Sequence, residues 1–456
     1  MVKVVKFGGS SVADAAQFAK VASIVEADPE RRFIVVSAPG KRFSEDIKTT
    51  DLLIALAEQV MEGGVNEDYA LQQVVERYEA IVAELDLERT LLDDLKTQLE
   101  SLISSYREDG PRLMDALMAS GENENAKLMA AYLRKRGNTA SYVSPEEAGM
   151  MVTGDPGNAR ILPESYDQLI RLREKEGLMV IPGFFGVSKN GHIVTFPRGG
   201  SDITGSIVAA GVEASLYENF TDVSSIYSVN PSLVDHPHEM DELTYREMRE
   251  LAYAGFSVFH DEALQPVVAK KVPVCIKNTN DPEAPGTHIV SDREQRGLPV
   301  IGIASDEGFV TINLTKYLMN REVGFGMKLL QILSEEGISF EHTPSGIDNM
   351  SVILREEYLS DEKEARILTR IKSELDIEDV TVERDLAVVM VVGEGMASTV
   401  GVAAKATAAL AGAGVNIKMI NQGSSEVSMM FGVNASQADL AVKSLYEACF
   451  EKEPQS

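Results

Sequence analysis

Residues 6–11 read KFGGSS, a lysine and a phenylalanine followed by two glycines and two serines, placed where the apolar run VKVV (residues 2–5) stops. Val2, Val4, Val5 and Phe7 read as a short buried strand, and apolar residues recur at helical spacing from Val12 to Val25. The glycines therefore fall in a strand-to-helix turn. Such a turn presents unpaired backbone N–H groups at the positive end of a helix dipole, which attracts anions, and glycine lets the backbone approach a phosphate closely. Lys6 would add a full positive charge. Two readings stand on these six residues alone: a phosphate cradle, or an ordinary tight turn beside a solvated lysine.

Outward from this turn, RRFIVVSAPG (31–40) gives a second β-rich run ending in small residues, so the chain opens as an α/β layer. Residues 51–136 change to helical periodicity rich in Leu, Ala, Glu and Gln, broken by EGGVN (62–66) and EDGPR (108–112), and read as a helical insertion. The α/β pattern then resumes through LMVIPGFFGV (178–187), DITGSIVAAGVEA (202–214) and SLYENFTDV (215–223) and closes near GTHIVSD (286–292). SDREQRGLP (291–299) has the composition of a linker.

Beyond it the order strand, helix, two strands, helix, strand can be counted from FVTINLTKYL (309–318), through ISFEHTPSG (338–346) as the second strand, to VTVERDL (380–386). A second βαββαβ copy starts at LAVVMVVGEG (386–395), but the chain stops before its closing strand. LPVIGIAS (298–305) could supply that strand, which would nest the first copy inside the second.

The 456 residues suffice for two to three domains. A formal net charge of -28 repels nucleic acid and anionic membranes, so neither is expected as a partner. The N-terminus lacks the apolar core of a signal peptide and no run approaches the ~18 apolar residues of a membrane span, which predicts a cytosolic protein. Cys275 and Cys449 have no metal-ligand or CxxC spacing and read as buried free thiols.

Three more small-residue turns accompany the first. VVSAPG places Ser37 and Gly40 at a strand end, SGENENAKLMAAYL puts Gly121 and Glu122 at a helix start, and FPRGGSDITGS gathers Arg198, Gly199, Gly200, Ser201 and Asp202 before another helix. In open α/β sheets such turns converge on one crevice outside the carboxyl ends of the strands. Glycine turns and Lys6 suit phosphates, Arg198 suits a carboxylate and Glu122 an amino group, so the substrate carrying both charges is an amino acid.

With KFGGSS, SGE (120–122), RGGSD (198–202), TDV (221–223), NTNDPEAPGT (278–287) and the paired tail modules, the chain resembles the aspartokinases of the amino acid kinase family over its full length. The resemblance implies an α/β fold, the three-layer α/β/α sandwich of that family over residues 1–296, followed by two ferredoxin-like βαββαβ ACT domains. The first ACT domain would span 306–386, and the second 297–305 with 387–456. It implies transfer of the ATP γ-phosphoryl group, with Mg2+, to the β-carboxylate of aspartate, the first step of lysine, threonine and methionine biosynthesis. Lys6 and Asp202 would be catalytic. Ser37, Thr50, Glu122 and Arg198 would bind aspartate. Lys6, Gly8, Gly9, Ser10, Gly199, Gly200, Ser201, Thr221, Asp222 and Tyr227 would surround ATP. Asp202 as a helix cap, Asp222 as a turn residue and Tyr227 as core remain the alternatives.

The resemblance further implies a homo-oligomer built through the ACT domains and inhibited by lysine, or by threonine alone or with lysine. Met319, Gly324, Phe325, Ser339, Glu341, Thr343 and Ser345 would line the effector site, with Glu341 facing an effector ammonium or standing solvated at a strand end. No resident metal site is expected. The chain departs from the family at Ser232, where a phosphate-contacting arginine is usual, leaving Lys270, Lys271 and Lys277 as candidate substitutes.

Overall fold

The computed structural model describes residues 1–451 apart from residues 65, 198, 257, 260, 295 and 296. Two units are present, one of residues 1–226, 240–248 and 257–293, the other of 227–239, 249–256 and 294 onward.

In the first unit, strands β1 (Lys3–Phe7), β2 (Arg31–Val36), β3 (Ala140–Tyr142), β4 (Leu178–Pro182), β5 (Leu216–Thr221), β6 (Glu242–Thr244), β7 (Val274–Asn278) and β8 (Thr287–Val290) form one sheet in the order β6-β8-β7-β5-β1-β2-β4-β3. Every pairing from β7 through β3 is parallel, so the turns after β1, β2, β4 and β5 open at one edge. Side chains alternate across the pleat. Val5 and Phe7 join Ile34, Val36 and Phe220 in a core covered by α1 (Ala15–Glu26) and the helices that follow it. Val4 and Lys6 take the opposite face, where α6 (Gly200–Gly211) lies.

The helical insertion consists of α2 (Thr49–Met61), α3 (Glu67–Glu84), α4 (Thr90–Tyr106) and α5 (Gly110–Lys135). The break expected at EDGPR is a helix start: Asp109 accepts from the Arg112 N–H at 3.3 Å, and Pro111 sits in the first turn, where its missing N–H does no harm. Gly121 and Glu122 do not begin a helix; they lie in the middle of the 26-residue α5. Gly121 is needed there for close approach, because a Cβ would stand 2.9 Å from Ala38 Cβ and 3.0 Å from Leu53 Cδ1.

The second unit holds a five-stranded sheet. Strands β9 (Gly302–Thr315), β10 (Asn349–Arg355), β11 (Asp379–Val392), β12 (Met419–Asn421) and β13 (Ser428–Asn434) are ordered β10-β9-β11-β13-β12. Helices α7 (Phe325–Glu335) and α8 (Asp361–Leu375) share an apolar core with β9 and β10, while α9 (Val402–Gly412) and α10 (Ala438–Phe450) share another with β11 and β13. Residues 302–306 pair with 388–392, and residues 309–315 pair with both β10 and the first half of β11. Thus four sequence segments that read as separate strands fuse into two 14-residue strands, with Gly308 (φ 81) and Asp385 (φ 56) at the irregular joints. ISFEHTPSG is not a regular strand: only isolated bridges at His342 and Ser345 tie it to β10, and Pro344 has no N–H to donate.

Candidate active site

Parallel register sets the first contact. Lys6 on β1 pairs with Asn219 on β5, which puts the two side chains next to each other on the α6 face. Lys6 Nζ stands 2.6 Å from Asp202 Oδ1, and Asn219 Nδ2 donates to that same oxygen at 2.8 Å. Lys6 is 7% and Asp202 8% exposed, so each charge is held out of water and neutralised by the other. Asp202 reaches this pair from the first turn of α6, whose N-cap is Gly199 at φ 80 with no side-chain cap bond. The carboxylate faces Lys6 instead of capping its own helix.

Glycine turns close around this pair. Gly8 N–H donates to Phe220 O at 3.1 Å, and a Cβ on Gly8 would lie 3.5 Å from Lys6 Nζ. Gly9 and Gly40 touch backbone to backbone: Gly40 N–H donates to Gly9 O at 2.8 Å, and a Cβ on Gly40 would sit 2.5 Å from Gly9 C. Ser10 is exposed and Gly9 half-buried, at the mouth of the turn. Gly200 is buried against Phe184, and Ser201 is half-buried beside Gly183.

The loop after β2 is braced from α3. Arg77 Nη1 reaches Asp46 Oδ2 at 2.8 Å and its Nη2 donates to Gly40 O. The guanidiniums of Arg42 and Arg77 hold the Asp46 carboxyl well below the usual carboxylate range. On the other side of the loop, Glu122 is 5% exposed, accepts from the Ala38 N–H and feels Lys6; burial pushes its carboxyl up to about 8. Ser37 is half-buried and gives its carbonyl to Asn125 Nδ2 at 2.6 Å. Thr50 is half-buried in the first turn of α2, whereas its neighbour Thr49 is fully buried. Among the described residues, Glu122 Oε2, Asn125 Oδ1 and Thr49 Oγ1 are buried without a hydrogen-bond partner. Buried polar atoms are seldom left so, and three around one loop mark a place where a polar ligand would complete the bonding.

Arg198 lies outside the described residues. Thr221 ends β5 and its hydroxyl donates to Asp222 Oδ1 at 3.1 Å, with Asp222 exposed. Tyr227 and Ser232 belong to the second unit; Tyr227 is half-buried and Ser232 N–H closes a turn onto Asn230 Oδ1. Of the candidate substitute lysines, Lys270 stands 3.6 Å from Glu213, Lys271 is exposed at φ 53, and Lys277 is on β7.

Asn219, Asn125, Thr49 and the Arg77–Asp46 brace were not singled out from sequence. Asn219 carried a signal, a polar residue inside the strand-like SLYENFT. Arg77 carried none, because a lysine or arginine on an amphipathic helix is usually solvated.

In the second unit, Met319 and Phe325 are buried, Gly324 takes φ 81 just before α7, and Ser339 and Ser345 are exposed. Thr343 is half-buried. Glu341 is not simply solvated. Its Oε2 accepts from the Tyr253 hydroxyl at 2.6 Å, and its Oε1 is 3.9 Å from Arg355 Nε.

Residues 1–278 match the amino acid kinase family and residues 389–449 match an ACT domain. The chain is 55% identical over 449 residues to aspartokinase 3 of Bacillus subtilis (strain 168), a match covering 98% of this chain and 99% of that protein. A crystal structure of aspartate kinase from Clostridium acetobutylicum superposes with a TM-score of 0.84 at 39% identity, covering 98% of this chain and 100% of that one. Escherichia coli aspartokinase III, 28% identical, superposes with TM-scores of 0.83 in its R-state complex with aspartate and ADP and 0.76 in its T-state complex with lysine and aspartate. Each covers 99% of this chain and 100% of the other. A paired lysine and aspartate at the edge of a parallel sheet, glycine turns around them and a kinase-type match over most of the chain have one common explanation: the chain belongs to the amino acid kinase family, among its aspartokinases with a C-terminal ACT region.

Proposed function

We propose that this aspartokinase transfers the γ-phosphoryl group of ATP to the β-carboxylate of L-aspartate, giving 4-phospho-L-aspartate and ADP. The observation that carries the reading is the Lys6–Asp202 pair at 2.6 Å, set beside a glycine-lined turn and a buried carboxylate, Glu122, with one oxygen unpartnered among the described residues. Glu122 would hold the substrate ammonium; Arg198, Ser37 and Thr50 would hold its carboxylates. Gly8, Gly9, Ser10, Gly199, Gly200 and Ser201 would surround the phosphates, with Thr221, Asp222 and Tyr227 toward the nucleoside.

The β-carboxylate is the nucleophile. Its ordinary pKa of about 3.9 leaves it ionised at neutral pH, so no general base is required. One of its oxygens bonds to the γ-phosphorus as the bond to the bridging oxygen of ADP breaks. Two anions must meet, and the remedy is positioning with positive charge from Lys6 and backbone donors. Asp202 and Asn219 orient Lys6. Mg2+ carried by ATP would supply further positive charge at the phosphates.

We also propose the domain division 1–296, 306–386, and 297–305 with 387–456; the pairing of 302–306 with 388–392 supports nesting of one ACT module in the other. Lysine, alone or with threonine, would inhibit through Met319, Gly324, Phe325, Ser339, Glu341, Thr343 and Ser345. The lysine complex of the E. coli enzyme supports this effector. Exposed Tyr317, Val323, Met327 and Ile347 on the first module suit a second copy of the chain. The reaction would stand at the head of lysine, threonine and methionine synthesis. An ADP-coupled assay with MgATP and either aspartate or glutamate, with and without lysine, tests the reading. Aspartate-dependent turnover suppressed by lysine is expected; turnover with glutamate alone would refute it.

A further inference from the structure

We infer that Asn125 supplies a second acceptor for the substrate's ammonium group, alongside Glu122. The inference deepens, and rests on, the reading that an amino acid binds at Glu122. Residues 122 and 125 are one turn apart on α5 and therefore share a helix face. Both grip the same piece of backbone: Asn125 Nδ2 donates to Ser37 O at 2.6 Å, and the next residue, Ala38, donates its N–H to Glu122. The amide orientation is fixed by that contact. With the amide reversed, two acceptors would face each other at 2.6 Å, so the nitrogen must point at Ser37 and the oxygen is left free.

Among the described residues that oxygen has no partner. Asn125 is 0% and Glu122 5% exposed, yet Asn125 Oδ1 and Glu122 Oε2 have no hydrogen-bond partner among the described residues. With Glu122 ionised, both are acceptors and only one bears charge. A phosphate or carboxylate offers them nothing. A primary ammonium brings three donors and one positive charge, enough to satisfy both oxygens at once. Asparagine adds the second acceptor without a second negative charge beside Glu122, which would otherwise repel it. Asn125 thus acts as a specificity residue, separating amino acids from dicarboxylates of the same length.

The test compares aspartate with succinate, which keeps both carboxylates and lacks the ammonium. In the full-length protein, KM for aspartate, KM for ATP and the competitive inhibition constant of succinate are measured for wild type, Asn125→Ser and Glu122→Gln. Serine retains a donor toward Ser37 and drops the free acceptor; Asn125→Ala carries the same comparison where the serine variant does not fold. The expected result is a rise of about tenfold or more in KM for aspartate in the Asn125 variant, with the succinate constant and KM for ATP unchanged. Equal losses for aspartate and succinate would reduce Asn125 to a support for the Ser37 loop and overturn the inference, as would no loss at all. Glu122→Gln separates the two levels: if it leaves the aspartate-to-succinate ratio unaltered, the ammonium does not sit here and the underlying reading fails, whatever Asn125 does.

Discussion

Lys6 carries two duties that can be pulled apart. It neutralises Asp202 in a buried pair, and in the proposed mechanism it stabilises charge moving onto the transferring phosphoryl group. Lys6→Ala is expected to lower turnover at least about 100-fold, and also to destabilise the fold by about 3–5 kcal/mol, because Asp202 is left charged and unpaired. The double variant Lys6→Met with Asp202→Asn removes both charges and should regain most of the melting temperature while staying inactive. Recovery of turnover together with stability would show that the lysine is only structural. Glu122 gives a pH signature. Burial raises its carboxyl to about 8, so below that pH the free protein holds it protonated, a form that cannot pair with an ammonium. KM for aspartate should fall as pH rises from 6.5 to about 8, and Glu122→Gln should flatten the profile. The stability sign is the reverse. A carboxyl whose folded pKa lies above its unfolded value contributes most at low pH, and that contribution is lost as pH rises through about 8. Without aspartate, Glu122→Gln should therefore gain on wild type in thermal melts at pH 9 relative to pH 5; the opposite trend would contradict the burial argument. Residue types in short motifs pointed to Lys6, Asp202 and Glu122, since a charge beside glycines is conspicuous. Asn219 showed only as a polar residue in a strand-like run, its link to Asp202 unreadable, and Asn125 was not legible because its partner is a backbone carbonyl 88 positions away.

At the scale of elements, α5 brings the Ser37–Gly40 loop to the site. Gly121 is the contact that allows it, as a methyl group there would press on Ala38 and Leu53. Gly121→Ala should lose about 1–3 kcal/mol through overpacking in spite of its better helix propensity, and should raise KM for aspartate more than KM for ATP. A variant more stable than wild type with unchanged KM would show that the loop can shift freely. The helical periodicity of residues 51–136 was plain in the sequence, yet it read SGE as a helix start because small and acidic residues favour such positions. Only the neighbour across the helix explains a glycine in mid-course. The same limit applied to the tail. Apolar alternation located the segments of both long strands but also read ISFEHTPSG as one, and Gly308 and Asp385 looked like ends where the chain in fact continues into the next module through a local irregularity. Periodicity reports which face is buried; it does not report whether the partner strand runs on.

At the scale of the whole molecule, one chain joins a catalytic unit to a regulatory one, and proposed control requires the effector to bind two states with different affinity. Glu341 is the residue where this can be read. Its carboxylate is already engaged by Tyr253, so an effector ammonium must compete for it or share it. Glu341→Ala should raise the half-inhibitory lysine concentration about tenfold or more while leaving uninhibited turnover nearly unchanged, as inhibition curves paired with calorimetric titration of lysine would record. Unchanged binding and inhibition would remove Glu341 from the effector site and leave the kinase reading untouched. Which carboxylate is phosphorylated is decided by trapping the product with hydroxylamine during turnover with MgATP and aspartate. The expected product is aspartate β-hydroxamate, formed by wild type and reduced at least about 100-fold in Lys6→Ala. Recovery of the α-hydroxamate, or ATP consumption with no hydroxamate from aspartate, would contradict it.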